Sequence, residues 1–113
     1  MKNNKVCIVT GASRGLGRGI ALVLAQEEGC TVYATARNEN ALDSLAEEAA
    51  KGTKGGVVKV CVLDQLNDDA VQDFVEQVKS EENQIDLLVS VLLHLVCQLY
   101  LDRISYVVYY QPS

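Results

Sequence analysis

The residues Thr10-Gly11-Ala12-Ser13-Arg14-Gly15-Leu16-Gly17 place three glycines where an apolar, β-branched run gives way to helical periodicity. Each glycine meets a separate demand of a dinucleotide's pyrophosphate. Gly11 permits a tight turn off the strand. Gly15 lets the backbone come close to phosphate without a Cβ in the way. Gly17 lets the following helix press against the strand. The free N–H groups and positive dipole end of that helix would then face the anion, with Ser13 either capping the helix or bonding phosphate. A glycine-rich turn without ligand is the competing reading. A P-loop is excluded, because no Gly-Lys-Ser/Thr follows.

The chemistry beyond the glycines favours NADP over NAD. NAD sites place an acid about 20 residues further on, against the ribose 2′-hydroxyl. Here Ala36 holds that place, followed by Arg37, and the first acid is Glu39. Arg37 and Arg14 suit a 2′-phosphate, since the planar guanidinium donates two parallel hydrogen bonds. An ordinary solvated arginine is the alternative for Arg37. Asp64, just after a third apolar run, could accept from the adenine amino group, and a loop or capping aspartate fits it equally well.

These residues need a scaffold, and the periodicity predicts one. Lys5–Thr10, Thr31–Ala36, Val57–Leu63 and Ile85–Val89 read as buried strands. Between them lie three helical patterns. Leu16, Ile20, Val23 and Leu24 share one face of the first. Leu42, Leu45, Ala46 and Ala49 share one in the second, capped by Asn38. Val71, Phe74, Val75 and Val78 follow in the third, with Asn67 as cap and Asp68 and Asp69 at its positive end. The order βαβαβαβ predicts an α/β fold: a partial, doubly wound Rossmann-type parallel sheet, truncated after strand four. A sheet ordered 3-2-1-4 leaves the apolar edge Ile85–Val89 open to association or aggregation. The chain thus divides into a nucleotide-binding half-domain, 1–89, and a divergent apolar tail, 90–113. Ile104–Tyr110 could be a strand, although no helix with a polar face precedes it.

Bulk properties narrow the partners. With 113 residues, 49% of them hydrophobic, one small packed domain is expected. The net charge is −5, and Lys79 is the only basic residue between Asp64 and Asp86. That surface argues against nucleic acid. Cys7, Cys30, Cys61 and Cys97 make no C-x-x-C pair, which argues against zinc or a disulfide framework and for a reducing, cytoplasmic setting. No signal peptide follows the basic start. The uncharged run Leu87–Leu101 falls short of the ~20 residues a membrane helix needs.

The loop Thr10–Gly17 resembles the Thr-Gly-x-x-x-Gly-x-Gly signature of the short-chain dehydrogenase/reductase superfamily. Arg37, Asp64 and Ile85-Asp86-Leu87-Leu88-Val89 are similar to that family's NADP-selecting basic residue, adenine-side aspartate and fourth strand. The resemblance runs from Lys5 to Val89. It implies an NAD(P)H-dependent oxidoreductase of carbonyls or alcohols, in which the cofactor carries hydride and a tyrosine, lowered in pKa by a lysine four residues later, supplies the proton. Two departures stand out. Where the family carries Asn-Asn-Ala-Gly, this chain has Ser90-Val91-Leu92-Leu93, and no Tyr-x-x-x-Lys occurs. Ser105-Tyr106 is followed at the required spacing by Tyr110, and His94 has no carboxylate at helical spacing. No catalytic residue is therefore assigned. A chain without catalysis of its own, or a non-catalytic module that holds NADP(H) or pairs with a relative, or a non-functional truncated product, are the readings left open.

Overall fold

The computed structural model describes residues 5–64, 67–91 and 104–110. Eight elements follow one another: β1 (Val6–Val9), α1 (Gly15–Gln26), β2 (Thr31–Ala36), α2 (Glu39–Ala49), β3 (Val57–Val62), α3 (Asp68–Glu82), β4 (Ile85–Val91) and β5 (Ile104–Tyr110). The five strands form one sheet ordered β3-β2-β1-β4-β5, and every neighbouring pair is parallel. The expected βαβαβαβ unit is present through β4.

Alternation along the strands divides the core between the two faces. On one face Cys7, Val9, Val32 and Ala34 meet Leu42, Leu45 and Ala49 of α2 and Ala21 and Ala25 of α1. On the other, Val6, Ile8, Tyr33 and Leu88 meet Val71, Phe74, Val75 and Val78 of α3. Each such Leu or Val, removed from water, contributes roughly 1.5–3 kcal/mol. β1 and β2 are buried along their whole length, as central parallel strands should be. β3 lies at the sheet edge, and Val57, Val60 and Val62 stay exposed there.

Side-chain oxygens fix the helix starts. Asn38 Oδ1 accepts from Ala41 N at 3.0 Å, and Asn67 Oδ1 from Ala70 N at 3.1 Å. Glu39 in α2 and Asp68 and Asp69 in α3 add negative charge to the first turn. The end of α3 is pinned to the sheet by Tyr33. Its hydroxyl lies 2.7 Å from both Glu81 Oε1 and Glu82 Oε2, and Lys59 Nζ reaches the same Glu82 oxygen at 3.1 Å. At the entry end of the sheet, Asp86 Oδ2 accepts from Val6 N at 2.8 Å and from Gln84 Nε2 at 2.7 Å.

Two expectations are corrected. The edge of strand four is not open: β5 pairs along it from Ile85↔Ile104 to Val91↔Tyr110. A run of β-branched and aromatic residues there supplies the missing neighbour. The expected face of α1, Leu16/Ile20/Val23/Leu24, is buried only in part: Ile20 and Leu24 pack half-buried against the core, while Leu16 and Val23 are 47% and 52% exposed, and the fully buried residues are Gly17, Ala21 and Ala25. Small residues win the inner face because α1 lies close against the glycine turn and the strands beneath it.

Among the described residues no helix is long and apolar enough to cross a membrane, and no three His, Cys, Asp or Glu side chains gather as metal ligands. Cys7 and Cys30 are buried thiols and Cys61 is half-buried. Cys97, His94 and most of the run to Leu101 lie outside the described residues.

Candidate functional site

The sheet order reverses direction at β1: β2 and β3 lie to one side, β4 and β5 to the other. In such a sheet the crevice beyond the strand ends at that reversal is the place for a ligand. The glycine turn occupies it. Thr10 is 2% exposed, and its N–H bonds to Val89 O at 3.0 Å, tying the turn to the end of β4. Ala12 N bonds to Thr35 O at 3.0 Å, tying it to the end of β2. The turn is therefore held from both sides of the reversal. Sequence reasoning had not identified these two tethers, since backbone bonds carry no residue signature.

Two glycines in the turn have left-handed backbones: Gly11 at φ 62° and Gly15 at φ 61°. Such values are costly for residues with a Cβ. A Cβ on Gly15 would meet nothing within 4 Å, so the space above it is open. Gly17 is the opposite case. A Cβ there would run into the carbonyl oxygen of Gly11, and it would sit 2.8 Å from that carbonyl carbon. The helix can approach the turn this closely only with glycine at 17.

The start of α1 differs from those of α2 and α3. Its N-cap is Arg14, in extended conformation, with no side-chain cap bond and no acid in the first turn. The first intrahelical bond runs from Arg18 N to Arg14 O at 3.4 Å. The N–H groups of Gly15, Leu16 and Gly17 lie ahead of it, at the positive end of the dipole. Ser13 does not cap the helix, because it stands one position too early. It is half-buried beside the turn. The other two helices begin with a capping asparagine and acid in the first turn, whereas α1 has neither.

Around this start the strand ends bring the remaining candidates. Ala36 closes β2, and Arg37 follows it, exposed. Leu63 N bonds to Ala36 O at 2.8 Å, which carries the β2–β3 ladder to the brink of Asp64. Asp64 is exposed, and its carbonyl accepts from Asn67 N at 2.9 Å at the entry to α3. Thr10, Gly11, Ser13, Arg14, Gly15, Leu16, Gly17, Arg37 and Asp64 thus all lie at the carboxyl ends of parallel strands, in the turns leaving them or in the first turn of α1. Leu16 faces outward, where a groove of about 520 Å³ runs along α1 between Gly15 and Leu24. Tyr106 belongs to β5. β4 continues as strand through Ser90 and Val91, opposite Tyr109 and Tyr110.

A cradle of glycines, a tethered turn and an uncapped helix start together fit a pyrophosphate-bearing cofactor. The comparisons with known proteins agree with that chemistry. Residues 5–91 match the family described as short chain dehydrogenase. The human protein dehydrogenase/reductase SDR family member 1 is 43% identical over 89 residues, covering 78% of this chain and 28% of its own length. An alcohol dehydrogenase from the archaeon Thermococcus sibiricus, solved in complex with 5-hydroxy-NADP, superposes with a TM-score of 0.67 at 33% identity. The match covers 75% of this chain and 35% of that one. An NAD+-bound xylitol dehydrogenase superposes with a TM-score of 0.69 at 34% identity, covering 77% of this chain and 32% of that one. This chain therefore spans about a third or less of the length of these three proteins.

Proposed function

We propose, from the premise that this chain belongs to the short chain dehydrogenase family, that it is the cofactor-holding half of an NADP(H)-dependent oxidoreductase. The single observation that carries the reading is the start of α1. It is uncapped and free of acid, and it abuts a glycine turn that Gly17 lets approach to contact. The backbone N–H groups of Gly15, Leu16 and Gly17, with the hydroxyl of Ser13, would hold the pyrophosphate. Thr10 and Gly11 would keep the turn in place. Arg37, with Arg14, would take the ribose 2′-phosphate, and Asp64 the adenine amino group. When bound, the nicotinamide cofactor supplies hydride to or from a carbonyl or alcohol. The part this chain plays is binding and orientation, with residues 1–89 as the binding unit and 90–113 as a divergent tail.

No Tyr-x-x-x-Lys occurs in the 113 residues, so no residue here is assigned the proton transfer, and turnover by this chain alone is not expected. NADP is favoured over NAD because β2 ends in Ala36 and Arg37 rather than in an acid. Isothermal titration with NADPH and NADH tests this. Tighter binding of NADPH, lost in Arg37→Glu with NADH affinity kept, is the expected result. An equal preference in wild type and Arg37→Glu would show that Arg37 is a solvated bystander.

A further inference from the structure

The sheet ends on one side at β5. Among the described residues Ile104–Tyr110 pairs only with β4, so the backbone along its other edge has no ladder partner. Such an edge is a template for another strand unless something blunts it, usually a lysine, a proline, a bulge or a very short strand. β5 has seven residues, Ile104-Ser105-Tyr106-Val107-Val108-Tyr109-Tyr110, with no charge, no proline and no glycine among them. Its register against β4 advances residue for residue from Leu87↔Tyr106 to Val91↔Tyr110, so no bulge twists that stretch away. The opposite edge of the sheet differs. There β3 carries Lys59, whose ammonium lies 3.1 Å from Glu82.

We propose that β5 is a dimer edge, occupied by β5 of a second copy of this chain running antiparallel to it about a two-fold axis. The strand is complementary to itself. An axis at its midpoint, Val107, pairs every residue of the strand, and any other centre leaves some unpaired. Ile104 then stands opposite Tyr110, Ser105 opposite Tyr109, Tyr106 opposite Val108, and Val107 opposite its own copy. Aromatic and β-branched residues are favourable cross-strand partners, as Tyr106 with Val108 and Tyr110 with Ile104 would be. No like charges meet in this ladder, although each chain carries a net charge of −5. A foreign strand would have to match the run, whereas a second copy brings the match by identity. The two-fold also closes, because each copy's β5 edge is used up in one dimer. An antiparallel join at the edge of a parallel sheet is a common arrangement, and here it doubles the five-stranded sheet into one continuous sheet. β4 separates the join from β1 and the glycine turn, so dimerisation and nucleotide binding can fail independently.

The test is sedimentation equilibrium of the reduced 113-residue chain over a range of concentrations, with amide hydrogen exchange followed in parallel. The expected result is a reversible dimer, twice the 12.3 kDa chain mass, in which amides of residues 104–110 exchange more slowly as the dimer fills. Two double variants then test the register. S105K/Y109K sets lysine opposite lysine on both sides of the axis and should be monomeric. S105K/Y109E sets lysine opposite glutamate and should restore the dimer. Positions 105 and 109 lie roughly 13 Å apart along one strand, so the rescue has to come from across the interface. Circular dichroism checks that both variants fold, and the wild-type measurement depends on neither. A monomer at every concentration, a dimer whose protection falls on α1 instead of β5, open-ended growth into larger species, or two folded variants with the same mass distribution would each overturn the proposal.

Discussion

Gly17 and Gly19 stand two residues apart in the same helix, and alanine should act on them with opposite sign. At 17 the new Cβ meets backbone, the carbonyl of Gly11 and Thr10 O at 3.2 Å, none of which is the free end of a flexible side chain. Either α1 lifts from the turn or the turn slides, straining the Thr10–Val89 and Ala12–Thr35 bonds. Overpacking of this kind costs about 1–3 kcal/mol. At 19 the Cβ meets nothing within 4 Å, and the position is exposed mid-helix. There alanine gains ~0.5–1 kcal/mol, by helix propensity and a less flexible unfolded chain. The two variants should thus differ by roughly 3 kcal/mol, or about 12 °C in Tm for a domain of this size. Urea and thermal unfolding followed by circular dichroism would measure both. Gly17→Ala should in addition weaken NADPH binding, while Gly19→Ala should leave it unchanged. Equal shifts of the same sign would show that close packing of α1 on the turn is not what glycine at 17 serves.

Three further outcomes follow from the helix starts and the tyrosine latch. Asn67→Ala should cost about 1 kcal/mol in urea unfolding by removing the Ala70 cap. Ser13→Ala, at a start with no side-chain cap, should leave stability alone and weaken nucleotide binding in the same titration; a stability loss at 13 matching that at 67 would contradict the helix assignment. Tyr33→Phe should destabilise at neutral pH in a pH-dependent way. The hydrogen bond from Tyr33 holds the Glu81 and Glu82 carboxyls below their ordinary 4.5. A depressed carboxyl contributes above its unfolded value and loses that contribution as pH falls through its folded one. The urea-midpoint gap between wild type and Tyr33→Phe should therefore narrow between neutral pH and pH about 3.5; a gap independent of pH would refute the latch. Tyr33 itself is raised above its ordinary value, chiefly by burial and then by Glu82 and Glu81. Its own contribution is thus present below about pH 10 and lost in stronger alkali.

Much of this fold was legible because its signals are local. Asn38 and Asn67 announce helix starts by their own chemistry, and Val71, Phe74, Val75 and Val78 announce a buried face by bulk and spacing. The glycine turn was legible because three glycines in that order serve few other purposes. The inner face of α1 was not. Gly17, Ala21 and Ala25 are small because the helix lies close, and small residues barely register beside Leu16, Ile20, Val23 and Leu24. β5 was only half legible, because its partner, β4, is non-local in sequence and the segment before it has no helical period. The edge place of β3 follows from the expected order 3-2-1-4, but its three exposed valines were not legible: VVKVCV reads as a buried strand whichever place in the sheet it takes.

The most direct test of the central claim is an isothermal titration of the folded, reduced 113-residue chain with NADPH. Saturable one-to-one binding, weakened by Gly17→Ala and by Arg37→Glu, is the expected result. A chain that melts cooperatively yet takes up neither NADPH nor NADH would contradict the assignment of the α1 start as a pyrophosphate site.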